Sequence, residues 1–220
     1  MTREELIKKV ALKMDEISSS DDIIIAVDSS DNNPLYAQID DLLNESINDV
    51  LTKAPIPRLK DFISDELDSG KHIKSILETY NPRVVFQIPV PDKFLRLVSI
   101  THKDFKRPIV DLAVEGDDIS KRQSNKFLRA KEAKPVGVIG RDENGNRVIN
   151  CFSVADGDNI PNPVFLYIER YSDTSLSSNV SDDDYLLDIV TWACAGKVFA
   201  AQGDVNKGQL CDNNATALMV

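Results

Sequence analysis

One stretch of the sequence decides the fold: residues 181–202, SDDDYLLDIVTWACAGKVFAAQ. It predicts a helix, because Ser181 can cap the first turn, Asp184 can reach back to it, and Gly203 follows as a stop. Apolar side chains recur at steps of three and four, as in a helix that faces a core: Tyr185, Ile189, Trp192, Ala193, Gly196, Phe199 and Ala200. The small residues let another helix approach closely. No residue of this helix indicates chemistry, so we expect a packing element.

The composition is that of an acidic globular protein. The 220 residues are 42% hydrophobic and 28% charged, which suffices for one core or two small lobes. A net charge of −10 repels nucleic acid unless a basic face is local. Three widely spaced cysteines indicate neither a disulfide framework nor a zinc site and favour a reducing cytoplasm. No segment approaches the roughly 20 apolar residues that span a bilayer, and no signal peptide is evident.

Helices are predicted near both ends of the chain. Thr2 and Glu5 form a capping box that begins a helix over residues 3–17. Asn33 and Pro34 begin a second helix, which ends before Pro55. Residues 23–27 predict a short strand or a buried extended segment. Residues 58–81 stay undecided: Leu59, Phe62 and Ile63 fit one helical turn, and residues 72–80 fit either a short helix or a strand.

The middle of the chain predicts strands instead. Five runs are rich in β-branched and aromatic residues: 83–91, 93–102, 134–142, 147–154 and 164–171. Asn144-Gly145-Asn146 predicts a hairpin between 136–139 and 147–152. Residues 83–171 hold 15 basic and 12 acidic residues, and the flanks hold 11 and 24. The sequence therefore predicts an α+β fold: an acidic helical bundle from residues 1–82 and 172–220, with an inserted β-rich module at 83–171.

Catalytic and metal-binding patterns are absent from the sequence. His72 and His102 lack partners at metal-ligand spacing, so no metal site is predicted. The run 142–146 is explained by a hairpin turn better than by a calcium loop, whose glycine and glutamate spacing it does not have. No nucleophile elbow occurs, and nothing singles out a pair of carboxylates. We therefore expect no catalytic residue, no cofactor and no enzymatic activity.

One basic cluster stands out in the strand-rich region: residues 120–134, SKRQSNKFLRAKEAK. It holds six Lys or Arg and one Glu, and Lys121, Arg122, Lys126 and Arg129 are its candidate contact residues. These cations could contact DNA phosphates, contact an acidic neighbouring subunit, or form a solvated loop. Phe127 is the cluster's only aromatic residue, which argues against a stacking platform for single strands.

Several motifs follow one another in a familiar order: IDDLLNESINDVLTKAP (39–55), VPDKFLRLVSI (90–100), HKDFKRPIVDL (102–112), SKRQSNKF (120–127), KPVGVIG (134–140) and VFLYIERY (164–171). Phe105, Arg107 and Pro108 form an aromatic-x-Arg-Pro turn, and Gln123 and Asn125 form a Gln-x-Asn element. This order resembles the portal-adaptor, or head-to-tail connector, proteins of tailed phages, including the tail-tubular-protein-A type and the ring proteins of crAss-like phages. The resemblance covers residues 35–201.

The resemblance implies a non-enzymatic virion protein, made in the host cytoplasm, that forms a homo-oligomeric ring of twelve copies. Its partners would be the portal protein and other tail or ring proteins, with genomic DNA passing through the lumen without sequence-specific binding and without a membrane. Analogy places portal docking on the segment after Gly203, at Leu210, Leu218, Met219 and Val220. A last helix packed on its own bundle is the alternative for that segment. The alternative function is a soluble nucleic-acid-binding accessory module that uses residues 120–134.

Overall fold

The computed structural model describes residues 1–18, 33–65, 74–77, 84–125, 127–154 and 163–219. Its helices are α1 (Arg3–Ser18), α2 (Asn33–Lys53), α3 (Asp118–Arg122), α4 (Asp184–Ala201) and α5 (Val205–Leu218). Its strands are β1 (Ile63–Ser64), β2 (Lys74–Leu77), β3 (Val84–Pro89), β4 (Phe94–Thr101), β5 (Leu112–Val114), β6 (Val136–Arg141), β7 (Arg147–Val154) and β8 (Val164–Glu169). The predicted α+β fold class is confirmed. The predicted segment at 23–27 lies outside the described residues.

The chain divides into two units. Residues Met1–Phe62 and Arg170–Val220 form the helical unit, and Ile63–Glu169 form the β-rich unit. The first boundary lies earlier than residue 82, because β1 already pairs with β8, with Ile63 opposite Ile168. With these boundaries the helical unit has 10 basic and 20 acidic residues, and the β-rich unit has 16 of each. The whole net charge therefore belongs to the helical unit.

Local sequence explains where α1 and α2 begin. The Thr2 N–H donates to Glu5 Oε2 (2.8 Å) and the Glu5 N–H donates to Thr2 Oγ1 (3.3 Å), which confirms the capping box. Helix α2 begins with Asn33-Pro34, where the missing N–H of proline costs no hydrogen bond. It ends before Pro55, and two short 3-10 turns follow, Ile56–Arg58 and Lys60–Phe62.

The prediction that Ser181 caps α4 is wrong. Asp183 is the N-cap, since its Oδ1 accepts the N–H groups of Tyr185 (3.0 Å) and Leu186 (3.2 Å). Ser181 instead donates through Oγ to Asp61 Oδ2 (2.7 Å), which also accepts the N–H of Asp182 (3.2 Å). These two hydrogen bonds, led by the one from Ser181, hold the pKa of Asp61 below its usual value. Ser181 thus links the start of α4 to the 3-10 turn before β1.

Helix α4 is the centre of the helical unit. It packs against α1, α2 and α5, so it is buried on more sides than one apolar stripe provides. The predicted stripe is therefore only partly right: Tyr185, Trp192 and Ala193 are half-buried and Ala200 is exposed, and the helix buries residues outside the stripe. Its buried residues are Leu186, Leu187, Ile189, Val190, Thr191, Cys194, Ala195, Gly196, Val198 and Phe199.

The last two helices approach each other through glycines. Helix α4 ends before Gly203, whose φ of 89° suits a residue without a Cβ. A Cβ added to Gly208 of α5 would lie 3.1 Å from the Gly196 carbonyl oxygen and 3.4 Å from the Ala200 nitrogen. Side chains larger than hydrogen do not fit between these backbones without movement. The predicted close approach of a second helix to α4 is confirmed.

A buried arginine joins α1 to α2. Arg3 is 1% exposed, and its guanidinium donates to Asp40 Oδ1 (2.7 Å) and to Asn44 Oδ1 (2.6 Å). It also donates to two carbonyl oxygens, those of Asp40 (2.9 Å) and Asp173 (3.0 Å). The planar fork of Arg thus ties three chain segments together.

The β-rich unit contains two sheets. The three-stranded sheet has the order β1-β8-β4, and the five-stranded sheet has the order β2-β3-β7-β6-β5. The predicted hairpin is confirmed, because β6 pairs antiparallel with β7 and Val136 lies opposite Phe152. Strand β5, which the sequence did not predict, runs parallel to β6 at the edge. Side chains from β3, β4, β7 and β8 share a core: Phe86, Ile88, Phe94, Leu97, Ile100, Ile149, Cys151, Phe165 and Tyr167.

Candidate docking surface

The basic cluster begins on a short helix held by an acidic cap. Asp117 Oδ1 accepts the N–H of Ser120 (2.7 Å), and its Oδ2 accepts the N–H of Val114 (2.9 Å). These hydrogen bonds, with that from Ser120 the stronger, hold the pKa of Asp117 below its usual value. One carboxylate thus fixes α3 to the end of β5. Lys121 and Arg122 follow in the last turn of α3, and both are exposed.

A buried glutamine closes the loop that follows α3. Gln123 is 3% exposed; its Nε2 donates to the Ile119 carbonyl (2.8 Å) and its Oε1 accepts the N–H of Ala130 (2.9 Å). A buried amide whose oxygen and nitrogen both bond the backbone fixes its neighbours in place. Residues 120 to 134 are called the basic loop below. Through its two hydrogen bonds Gln123 joins Ile119, just before the basic loop, to Ala130, which follows the tip of the loop.

Asn125 shapes the tip of the basic loop. Its Oδ1 accepts the Phe127 N–H (2.9 Å), and its carbonyl accepts the N–H groups of Leu128 (3.1 Å) and Arg129 (2.9 Å). This is the side-chain-to-backbone bonding that asparagine uses in turns. The Gln-x-Asn element of the sequence is therefore the element that builds the loop.

The tip presents two apolar side chains to solvent. Phe127 is 86% exposed and Leu128 is 62% exposed. Lys121 and Arg122 are exposed in the same loop, Arg129 is half-buried, and Lys126 lies outside the described residues. The structure thus places three of the four predicted cations in one loop with an exposed apolar pair. An exposed Phe beside an exposed Leu is the feature that distinguishes this surface from an ordinary solvated loop.

The exposure of Phe127 was missed by sequence reasoning, which used it only as the cluster's single aromatic residue. A signal was present, because Phe-Leu stands inside a polar run that shows neither strand nor helix periodicity. An apolar pair without periodic neighbours has no predicted core to enter. Three further apolar side chains just before the loop are also about half exposed: Val110, Val114 and Ile119.

The segment proposed for portal docking is a helix on its own bundle. Gly208, Cys211 and Ala215 of α5 are buried, which is the alternative arrangement left open by the sequence. Leu210 is 50% exposed on α5. Leu218 and Met219 are half-buried, and the Leu218 carbonyl accepts a hydrogen bond from the Tyr185 hydroxyl. Val220 lies outside the described residues. Of the three that the structure describes, only Leu210 lies on the exposed side of the helix, so these three do not form one exposed patch.

His102 belongs to the core of the β-rich unit. Its ring lies 5.3 Å from the ring of Phe86 and 5.5 Å from that of Phe105, and its Nδ1 accepts the N–H of Asp104 (3.2 Å). It is 8% exposed. Its Nδ1 also lies 3.5 Å from Asp104 Oδ2, so core packing and contacts with Asp104 account for the position of this imidazole. His72 lies outside the described residues.

The 142–146 run forms the β6–β7 turn. Asp142 accepts the N–H groups of Asn144 (2.9 Å) and Asn146 (2.8 Å) and the Asn146 side-chain amide (3.0 Å), while Gly145 has a φ of 84°. The carboxylate therefore serves the turn. A hollow of about 470 Å³ lies beside it, with Asp92 and Arg147 on its wall. Within the described residues, no three His, Cys, Asp or Glu side chains lie close enough together to hold a metal.

The cysteines are buried thiols. Burial raises the pKa values of Cys194 and Cys211 to about 11 and raises that of Cys151 further. A thiol with a raised pKa is a poor nucleophile near neutral pH. These three side chains serve packing.

Comparison with protein-family models and with curated proteins finds no match to this chain. Among the helices that the structure describes, none is long and apolar enough to cross a membrane.

Proposed function

We propose that this protein is a non-enzymatic virion component of a tailed phage, which forms an adaptor ring between the portal and the tail. In this role each copy contacts the portal protein, tail or ring proteins and two neighbouring copies. The genome passes through the lumen of the ring. The protein is made in the host cytoplasm and ends in the virion.

The observation that carries the proposal is the unlike character of the two units. The helical unit holds 20 acidic and 10 basic residues, whereas the β-rich unit is neutral overall and presents the basic loop with Phe127 and Leu128 exposed. A ring requires head-to-tail contacts between two different surfaces of the same subunit. Acidic and basic-apolar surfaces on one chain meet that requirement.

Two further features support the ring. The motifs that resemble portal adaptors fall on ordered elements, since 39–55 covers most of α2 and 90–100 covers most of β4. The excess negative charge of the helical unit also repels DNA phosphates, so a lumen lined by it would let DNA pass without holding it.

Electron microscopy with mass analysis tests the proposal. The purified protein is imaged alone and mixed with the portal protein encoded in the same genome. We expect rings of uniform copy number that form on the portal. Failure to form rings and to bind the portal at micromolar concentrations would refute the proposal.

A second function, nucleic-acid binding by an accessory module, is favoured by one observation. Lys121 and Arg122 are both exposed at the start of the basic loop, and clustered exposed cations are the groups that contact nucleic-acid phosphates. Fluorescence anisotropy with single- and double-stranded oligonucleotides at 50 to 200 mM salt separates the two functions. Binding that weakens steeply with salt and is abolished by Lys121→Glu with Arg122→Glu supports the accessory module. The adaptor ring requires negligible affinity for free DNA.

A further inference from the structure

We propose that the tip of the basic loop, Phe127 with Leu128, docks on the helical unit of a second copy of this chain, around Leu176. The proposal rests on the adaptor ring for the presence of neighbouring copies. The proposal adds the contact that joins these copies. The donor surface is the loop tip, Phe127 with Leu128, and the acceptor surface is the region around Leu176.

The donor surface is built to present an apolar pair. Gln123 bonds the backbone on both sides of the tip, and Asn125 bonds Phe127, Leu128 and Arg129. These hydrogen bonds hold the backbone of the tip in place, and the Phe127 side chain that it carries is 86% exposed. A preorganised tip loses little conformational entropy when it binds. Aromatic side chains are also enriched in the cores of protein interfaces, where charged residues surround them at the rim.

Charge selects the helical unit as the acceptor. The basic loop has six Lys or Arg against one Glu, and acidic residues outnumber basic ones two to one in the helical unit. Opposite charge accelerates encounter and fixes orientation, while apolar burial supplies affinity. Outside the basic loop, the β-rich unit holds 15 acidic and 10 basic residues, a smaller excess of acid than the 20 and 10 of the helical unit.

Exposed apolar side chains indicate where on the helical unit the loop tip docks. The exposed large apolar side chains of its described part are Leu12, Leu176, Val205 and Leu210. Leu12 shares its turns of α1 with three lysines and two acids, and the two on α5 lie among residues of mixed charge, so neither place has a clear excess of acid. Leu176 lies in an acidic segment, since residues 171–196 contain five Asp and no Lys or Arg, and Asp173 and Asp182 on either side of it are exposed. An apolar centre with an acidic rim complements an apolar tip with a basic rim.

Photo-crosslinking tests the contact in the full-length protein. The photoreactive amino acid p-benzoylphenylalanine replaces Phe127 and, as the matched control, Val164, which is 55% exposed on β8 of the same unit. Each protein is irradiated at several concentrations, alone and with the portal protein. We expect a dimer-sized product from position 127 only, with the crosslink mapped by mass spectrometry to residues 1–9 or 173–182 of the second chain.

Other products overturn the docking proposal. These are crosslinks confined to one chain, crosslinks to the portal or to an added oligonucleotide in place of a second copy, crosslinks to another part of the second copy, or no product under any condition. The adaptor ring is judged separately by microscopy. Rings without the expected crosslink refute the loop contact alone, and the crosslink without rings or portal binding refutes the ring alone.

Substitutions supply a second measurement. Phe127→Ser with Leu128→Ser should lower the self-association constant about 10- to 100-fold in sedimentation velocity, since burial of large apolar side chains contributes that much. Leu176→Ser should also lower it, and Val164→Ser should not. All four side chains are exposed, so thermal midpoints should not change. Unchanged association in both the loop and the Leu176 variants contradicts the proposal.

Discussion

Replacing Arg3 should destabilise the helical unit far more than replacing any exposed charge on α1. Its guanidinium donates to four acceptors, two side-chain oxygens of α2 and two carbonyls, with distances from 2.6 to 3.0 Å. Arg3→Ala leaves these acceptors without their donor and leaves a cavity where the side chain was 99% buried. Breaking a buried ion pair costs about 3–5 kcal/mol. The Asp40 side chain is 37% exposed, so water replaces part of the loss. We expect about 3 kcal/mol.

Arg3→Lys separates the charge from the geometry. Lysine keeps the positive charge but has one nitrogen, which cannot reach acceptors that lie around three nitrogens of a planar fork. We expect a loss of about 2 kcal/mol, closer to Arg3→Ala than to wild type. Lys8→Ala is the matched control, because Lys8 is half exposed and pairs with Glu4 on the surface of α1. An exposed pair of this kind contributes below about 1 kcal/mol.

Urea unfolding followed by tryptophan fluorescence measures these changes. The single tryptophan, Trp192, lies on α4, so its signal reports on the helical unit. Urea midpoints are compared between variants that have the same m-value, because a shifted midpoint then reports a change in the free energy of unfolding. If Arg3→Ala stays within 0.5 kcal/mol of wild type, or Arg3→Lys equals wild type, the buried fork does not hold the helices together and the reasoning fails.

Three further predictions concern packing, pH and thiols. Gly208→Leu should cost about 2–3 kcal/mol and expose the α5 amides to hydrogen exchange, whereas the exposed Ala217→Leu should change neither. The lowered pKa of Asp61 means that its stabilising contribution is complete above its unfolded pKa of about 3.9 and is lost as pH falls through the folded value. The difference in unfolding free energy between wild type and Asp61→Asn should thus stay constant above about pH 5 and shrink below about pH 4; a constant difference down to pH 2 contradicts this. With pKa values of about 11 for Cys194 and Cys211, about one thiol in a thousand is ionised at pH 8, so no cysteine should react rapidly with Ellman's reagent until guanidinium unfolds the chain.

Much of the fold follows from short-range signals. The capping box at Thr2, the proline that starts α2 and the hairpin turn at Gly145 each act within a few residues, so sequence alone locates them. The cap of α4 was misplaced because Ser181 and Asp183 are both good caps and only Asp61, 120 residues away in the chain, decides between them. The width of the buried face of α4 likewise depends on three partner helices that periodicity does not specify.

The candidate surface was only half predictable for a related reason. Clustered cations are visible in sequence, since charge does not depend on what packs nearby. The exposure of a side chain does depend on what packs nearby. Phe127 is exposed because the hydrogen bonds of Gln123 and Asn125 turn the chain so that its side chain contacts no core. Strand β5 was not predicted, because three residues are too few to show a periodicity. It is defined by its pairing with β6, in which Leu112 lies opposite Gly137.

The position of Gln123 links the loop to the question of function. The buried amide of Gln123 bonds the backbone on both sides of the tip and so orders the loop. The bonds have value if the tip must be in one place before a partner arrives. Gln123→Ala should therefore leave Phe127 and Leu128 exposed but less fixed, so that association weakens through lost preorganisation. In sedimentation velocity, Gln123→Ala should lower the self-association constant less than the serine variants of the tip, and a loss equal to theirs would show that Gln123 holds up the surface itself rather than its order.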